Sequence, residues 1–188
     1  MASSGGTRTE ASTVTDPAWP NAAGLSAPAG GPVPIRVLCL GNDLLADDAF
    51  GCLAAEHLRR RVPGAVDVVF STDGGFSLMD HLEGVKLLVV IDVVMTGKAD
   101  PGAVSVFRGE DLRSAPGGSP HYVGLFESLA LGRKLGLQVP QDVVFVVVEA
   151  ADCLTIGGAM HPAVRSALPV VTERVEEQLA AWGVVAAA

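Results

Sequence analysis

Three short stretches are apolar at nearly every position rather than at alternate ones: residues 35–40 (IRVLCL), 86–91 (KLLVVI) and 143–148 (VVFVVV). A strand with one face in water alternates, so a strand apolar on both faces must be covered on both. The segments between them carry a different period. Residues 49–61 bring Phe50, Leu53, Ala54 and Leu58 to helical spacing, and residues 162–182 do the same with Val164, Leu168, Val171, Val175, Leu179 and Trp182. Residues 66–70 predict a second strand, stopped by Asp73-Gly74-Gly75, and residues 77–82 a short helix. A short strand over 103–107 precedes a loop with Pro116, Gly117, Gly118 and Pro120, which leads into a helix over 121–135. The β-branched run at 143–148 is expected to be a central strand. Doubly buried strands alternating with amphipathic helices imply a three-layer α/β/α sandwich. Its twisted five-stranded sheet is expected to be mainly parallel, with 103–107 as an antiparallel edge.

This pattern starts at Ile35. Residues 1–33 are rich in Ala, Ser, Gly, Thr and Pro, with Trp19 their only aromatic, too little apolar surface to offset the entropy of ordering. They predict a disordered tail ahead of one domain over residues 34–185. A formal charge of −8 argues against a phosphate-binding face, hence against nucleic acid and anionic membrane as partners. No apolar run approaches the roughly 18 residues of a membrane span, and no basic-then-apolar leader is present. A cytoplasmic monomer is expected. Cys39, Cys52 and Cys153 are an odd number without CxxC spacing, so neither a disulfide framework nor a cysteine zinc site is indicated.

In open parallel sheets, ligands bind beyond the carboxyl ends of the strands, where strand order reverses. Beyond the first strand come Asn42, Asp43, Asp47 and Asp48; beyond the third, Asp92; beyond the fourth, across a loop, His121. If the first and third strands are neighbours, Asp48 and Asp92 face each other across the switch point. Two carboxylates and an imidazole suit a borderline divalent ion such as zinc or nickel. Each residue also has a plainer reading. Asp47 is expected to cap the following helix, and Asp48 fits a cap as well as a ligand. Asp92 could cap a turn, and His121 could simply open a helix. His57, His81 and His161 are read as surface or structural. Three independent caps need not share one sheet edge, and that favours a shared site. The same loop, Gly41 to Asp48, sits where a dinucleotide fingerprint would, yet it lacks GxGxxG, and its aspartates would repel a pyrophosphate.

At these residues the chain resembles the hydrogenase maturation proteases. The first family motif is matched by Gly41-Asn42-Asp43-Leu44-Leu45-Ala46-Asp47-Asp48-Ala49-Phe50-Gly51, the second by Val89-Val90-Ile91-Asp92, the third by Ser119-Pro120-His121-Tyr122-Val123-Gly124-Leu125. The similarity covers about residues 35 to 182, with all three motifs in order. It implies an endopeptidase that removes the C-terminal extension of a nickel-iron hydrogenase large-subunit precursor. It also implies that Asp48, Asp92 and His121 are both metal ligands and catalytic residues, engaging nickel carried by the substrate, with zinc or cadmium as substitutes in vitro. The alternatives are a nonproteolytic assembly chaperone and a nucleotide-binding α/β domain. The chain departs from the family pattern at Cys39-Leu40, where Gly-x often stands, and at Glu149 to Cys153, where a proline is expected. It departs again at Phe76, where the family's Asp-Gly-Gly loop continues with threonine, a change that bears on which precursor is recognised.

Overall fold

The computed structural model describes residues 34–108 and 120–184, so the reading of residues 1–33 as a tail lies outside the described residues. Five strands, β1 (Ile35–Leu40), β2 (Val66–Ser71), β3 (Leu87–Val94), β4 (Val104–Arg108) and β5 (Asp142–Glu149), form one sheet in the order β2-β1-β3-β5-β4. The first four of that order pair in parallel, and β4 runs antiparallel along β5 as an edge. β3 is buried at every position because it pairs on both sides and is covered on both faces. β5 lies inside the sheet, between β3 and β4.

The helices are α1 (Phe50–Leu58), α2 (Pro120–Lys134), α3 (Pro162–Ser166) and α4 (Leu168–Ala181). Side chains alternate across a strand, so β1 and β3 feed two separate cores. Val37, Cys39, Val89 and Ile91 pack with Phe50 and Leu58 of α1 and Val171, Val175 and Leu179 of α4. Leu38, Leu40, Leu88 and Val90 pack on the other face with Leu125 and Leu129 of α2 and with Leu78 and Leu82. Phe126 of α2 lies on Phe145 of β5, ring centroids 5.6 Å apart. The result is the three-layer α/β/α sandwich read from the periodicity.

Three local expectations are corrected. The helix expected over 162–182 is two helices broken at Ala167, with Pro169 in the first turn of α4. A continuous helix would require a proline N–H bonded to Arg165, which proline lacks; at a helix start that donor is not needed. The helix expected over 77–82 is instead a 3-10 segment, Gly75–His81. The third strand runs on past Ile91 to Val94, because Asp92, Val93 and Val94 continue to pair with Val147, Val148 and Glu149.

Candidate functional site

The β1–β3 register ends at Cys39↔Ile91, while β3 continues along β5. Asp92 is thus the first β3 residue beyond the β1 register, at the point where the sheet's strand order reverses. It stands inside the strand rather than after it, and it is fully buried. Its Oδ1 accepts the Val93 N–H at 2.8 Å. It falls in the same alternation as Leu88, Val90 and Val94, the face covered by α2. His121 is the second residue of α2. Its side chain, and Ser119 of the Ser-Pro-His stretch, lie outside the described residues.

Asp48 is brought to the same edge by two glycines. Gly41 ends β1 with φ +147°, and a Cβ there would sit 2.2 Å from the Asp48 carbonyl oxygen. A Cβ at Gly51 would meet the Leu40 carbonyl oxygen at 2.0 Å. Only side chains ending at hydrogen let the 3-10 turn Asp47–Ala49 and the start of α1 press onto the end of β1. Asp48 is buried there.

Asp47 does something different from the cap expected of it. No side chain caps the 3-10 turn or α1. The fully buried Asp47 carboxylate instead reaches the loop after β5: Oδ2 accepts the N–H groups of Ala151 and Asp152 at 2.8 and 2.9 Å, and Oδ1 that of His161 at 2.6 Å. The Asp47 N–H in turn donates to the Asp152 carbonyl at 2.9 Å. A second buried acid, Glu149, secures the loop after β3, accepting from the Thr96 N–H, the Gly97 N–H and the Thr96 hydroxyl, each at 2.7 Å. Sequence reasoning had no signal for either clasp.

Cys153, for which the sequence indicates neither a disulfide nor a zinc role, follows the loop start that Asp47 holds. Burial pushes its thiol up to about 12, and the negative charges of Asp48, Asp47, Asp92 and Asp152 push in the same direction. These carboxylates therefore share one region of the edge with Cys153. The signal that could have found it is its position just beyond the carboxyl end of β5. Cys39 is a core thiol pushed up to about 12 by burial. Among the described residues, no group of three His, Cys, Asp or Glu side chains is disposed to hold a metal ion.

The flank beside β2 is also ordered by polar contacts. Asp73 Oδ2 lies 2.7 Å from His81 Nε2 and accepts the Ser71 hydroxyl at 2.7 Å. The His81 contact first, then that of Ser71, holds the Asp73 carboxyl below its usual range. The next residues approach the first turns of α2: a Cβ at Gly124 would fall 2.4 Å from the Gly75 Cα, and the Ser128 hydroxyl donates to the Gly75 carbonyl at 3.3 Å. His161, read as structural, accepts the Ala163 N–H at the start of α3.

Comparison with known proteins decides the family. Residues 52–178 match the family described as hydrogenase maturation protease, a span that includes Asp92 and His121 and begins just after Asp48. The chain belongs to the hydrogenase maturation protease family. It is similar to the hydrogenase expression/formation protein HoxM of Azotobacter vinelandii, 32% identical over 159 residues, covering 82% of this chain and 76% of HoxM. Among solved structures it resembles the hydrogenase maturating endopeptidase HybD of E. coli, with TM-score 0.68 and 27% identity over 78% of this chain and 92% of that one. It also resembles the nickel-iron hydrogenase maturation protease HybD of Thermococcus kodakarensis, with TM-score 0.62 and 25% identity over 77% and 98% of the two chains. The family makes this chain an endopeptidase of hydrogenase maturation, and the fold is that of the HybD structures. No described helix is long and apolar enough to cross a membrane.

Proposed function

We propose that this chain removes the C-terminal extension of a nickel-iron hydrogenase large-subunit precursor, in the cytoplasm, after nickel has been inserted. Asp48, Asp92 and His121 engage that nickel, which arrives as part of the substrate. The observation that carries the reading is the pair of buried aspartates at the strand-order reversal, Asp92 just past the β1 register and Asp48 pressed over the end of β1. Asp47 has both carboxylate oxygens committed to backbone amides, so it is not the ligand of the Asp47-Asp48 pair. Two carboxylates with an imidazole suit a borderline divalent ion, and the concentration of negative charge felt by Cys153 favours a cation.

Held there, a nickel ion beside the scissile bond would polarise its carbonyl or activate a water, and one of the carboxylates would relay the proton. The nickel requirement would also make the reaction a checkpoint, since a precursor without metal offers nothing for the three ligands to hold. The test is to incubate the purified protein with nickel-loaded and nickel-free precursor and to weigh the product by mass spectrometry. Shortening of the loaded precursor alone is expected. Equal cleavage of both forms removes nickel from the reading, and stable binding without cleavage turns it into a chaperone.

A further inference from the structure

The segment that follows β2 is closed into a loop by its own ends. Asp73 stands at one end and His81 at the other, with His81 Nε2 2.7 Å from Asp73 Oδ2. The Asp73 carboxylate also accepts the Ser71 hydroxyl at 2.7 Å, and the Asp73 N–H donates back to that oxygen at 3.0 Å. The 3-10 segment Gly75–His81 fills the loop. A partly exposed contact of this kind adds little to stability by itself, and its two side chains are 20% and 46% exposed.

His81 is nevertheless a fixed post. Its carbonyl accepts the Arg36 guanidinium of β1 at 2.9 Å, and Arg36 is held in turn by Asp67 of β2 at 2.6 and 2.8 Å. Leu78 and Leu82, on either side of it, are fully buried in the core shared with Leu125 and Leu129 of α2.

The closed loop reaches both sides of the edge that carries the proposed ligands. On one side, the Ser71 carbonyl at the end of β2 accepts the Gly41 N–H at 3.3 Å, and Gly41 is the residue against which the Asp48 turn is pressed. On the other side, a Cβ at Gly124 would fall 2.4 Å from the Gly75 Cα, and the Ser128 hydroxyl donates to the Gly75 carbonyl at 3.3 Å. Gly124 follows His121 in α2 by just under one helical turn. Two glycine backbones in contact leave no flexible side chain to absorb a shift.

We propose that His81 is a positioning residue for the reaction. Its bond to Asp73 fixes the Gly75 backbone, and Gly75 fixes the first turns of α2, so that the helix start bearing His121 is held at a set place relative to Asp48 and Asp92. This rests on the proposed function, in which those three residues engage one ion. Misplacing a reacting group by about 1 Å costs on the order of a hundredfold in rate.

The experiment measures zinc affinity by calorimetry, and cleavage of nickel-loaded precursor, for the full chain and its His81→Ala, His81→Gln, Gly124→Ala and His81→Ala/Gly124→Ala variants. Each is read well below its melting temperature, with circular dichroism checking the fold. His81→Ala should weaken zinc binding and slow cleavage about tenfold or more, the scale on which the support of a ligand matters. His81→Gln keeps a side-chain N–H for Asp73 and should recover most of both. Gly124→Ala leaves the His81–Asp73 bond in place but drives the Gly75 and α2 backbones apart, and it should reproduce the loss. Both substitutions act through one contact, so the double variant should lose about as much as either alone. A merely structural His81 would lower the melting temperature and leave zinc affinity and cleavage at wild-type values. That result overturns the proposal while the protease reading stands. Losses that multiply in the double variant overturn it as well. Should His81→Ala fail to fold, wild-type zinc affinity in Gly124→Ala does the same. Wild type that binds no zinc and cleaves loaded and nickel-free precursor alike overturns the metal reading, and the proposal with it.

Discussion

Asp47→Ala separates a clasp from a cap. In the wild type the buried carboxylate accepts three N–H groups at 2.6 to 2.9 Å, from residues more than 100 positions away in sequence. Removing it leaves three donors without an acceptor, each worth about 1–3 kcal/mol when orphaned. Ala151 and His161 are exposed and Asp152 partly so, which lets water replace some of the lost acceptor. The expected loss is therefore about 3 kcal/mol, near the low end of that sum. A lost helix cap would instead cost about 1 kcal/mol. For a chain of this size the larger figure lowers Tm by roughly 6–12 °C. Urea titration gives the free energy, and hydrogen exchange should show faster amide exchange at Ala151, Asp152 and His161 specifically. Asp47→Asn keeps one oxygen and should fall between. A loss of about 1 kcal/mol or less, with exchange at those three amides unchanged, would refute the clasp.

Asp92→Asn, which keeps an oxygen able to accept the Val93 N–H, should still fold; it and His121→Ala should each abolish cleavage of nickel-loaded precursor and weaken zinc or cadmium binding, and wild-type cleavage by either variant removes that residue from the site. Gly41→Ala places a Cβ 2.2 Å from the Asp48 carbonyl at a positive φ, so it should lower Tm and reduce cleavage together, as thermal melts run beside the peptide assay will tell. Cys153, its thiol pushed up to about 12, should alkylate slowly with iodoacetamide at pH 8, and Asp48→Asn should quicken it; peptide mapping reads both rates. Asp73 is depressed below its ordinary 3.8 by His81 and Ser71, so the stability that His81→Ala removes should be present above about pH 4 and vanish as pH falls below it, in paired pH-dependent melts.

The sheet was legible because burial writes itself into period. Continuous apolar runs at 35–40, 86–91 and 143–148 are what doubly covered parallel strands require, and all three are parallel strands inside the sheet. The same logic misplaced Asp92. A charged residue after an apolar run looks like a strand's end, whereas here it is held within the strand by continued pairing to Val147. The broken last helix carried its signal in Pro169, which the apolar repeat from Val164 to Trp182 outweighed. Periodicity survives a one-residue break when the two helices stay nearly in phase.

What stayed hidden are contacts between loops. Asp47 and Asp48 are adjacent and chemically identical, and no local pattern says which one reaches across to the amides of the loop after β5. That choice is made by the loop after β5, whose Ala151, Asp152 and His161 donate to Asp47 from across the chain. Glu149 repeats the arrangement on the loop after β3. Both acids accept hydrogen bonds from backbone donors in edge loops. Saturated carboxylates hold the loops still, and under the proposed function Asp48 and Asp92 supply the charge that a divalent ion would meet. Rigid loops matter to that pair because a coordination site loses affinity when its supporting shell is free to move. An Asp47 variant that retains its fold should therefore bind a probe ion such as zinc more weakly, although it touches no proposed ligand position itself; unchanged zinc affinity in such a variant would separate the clasp from the site.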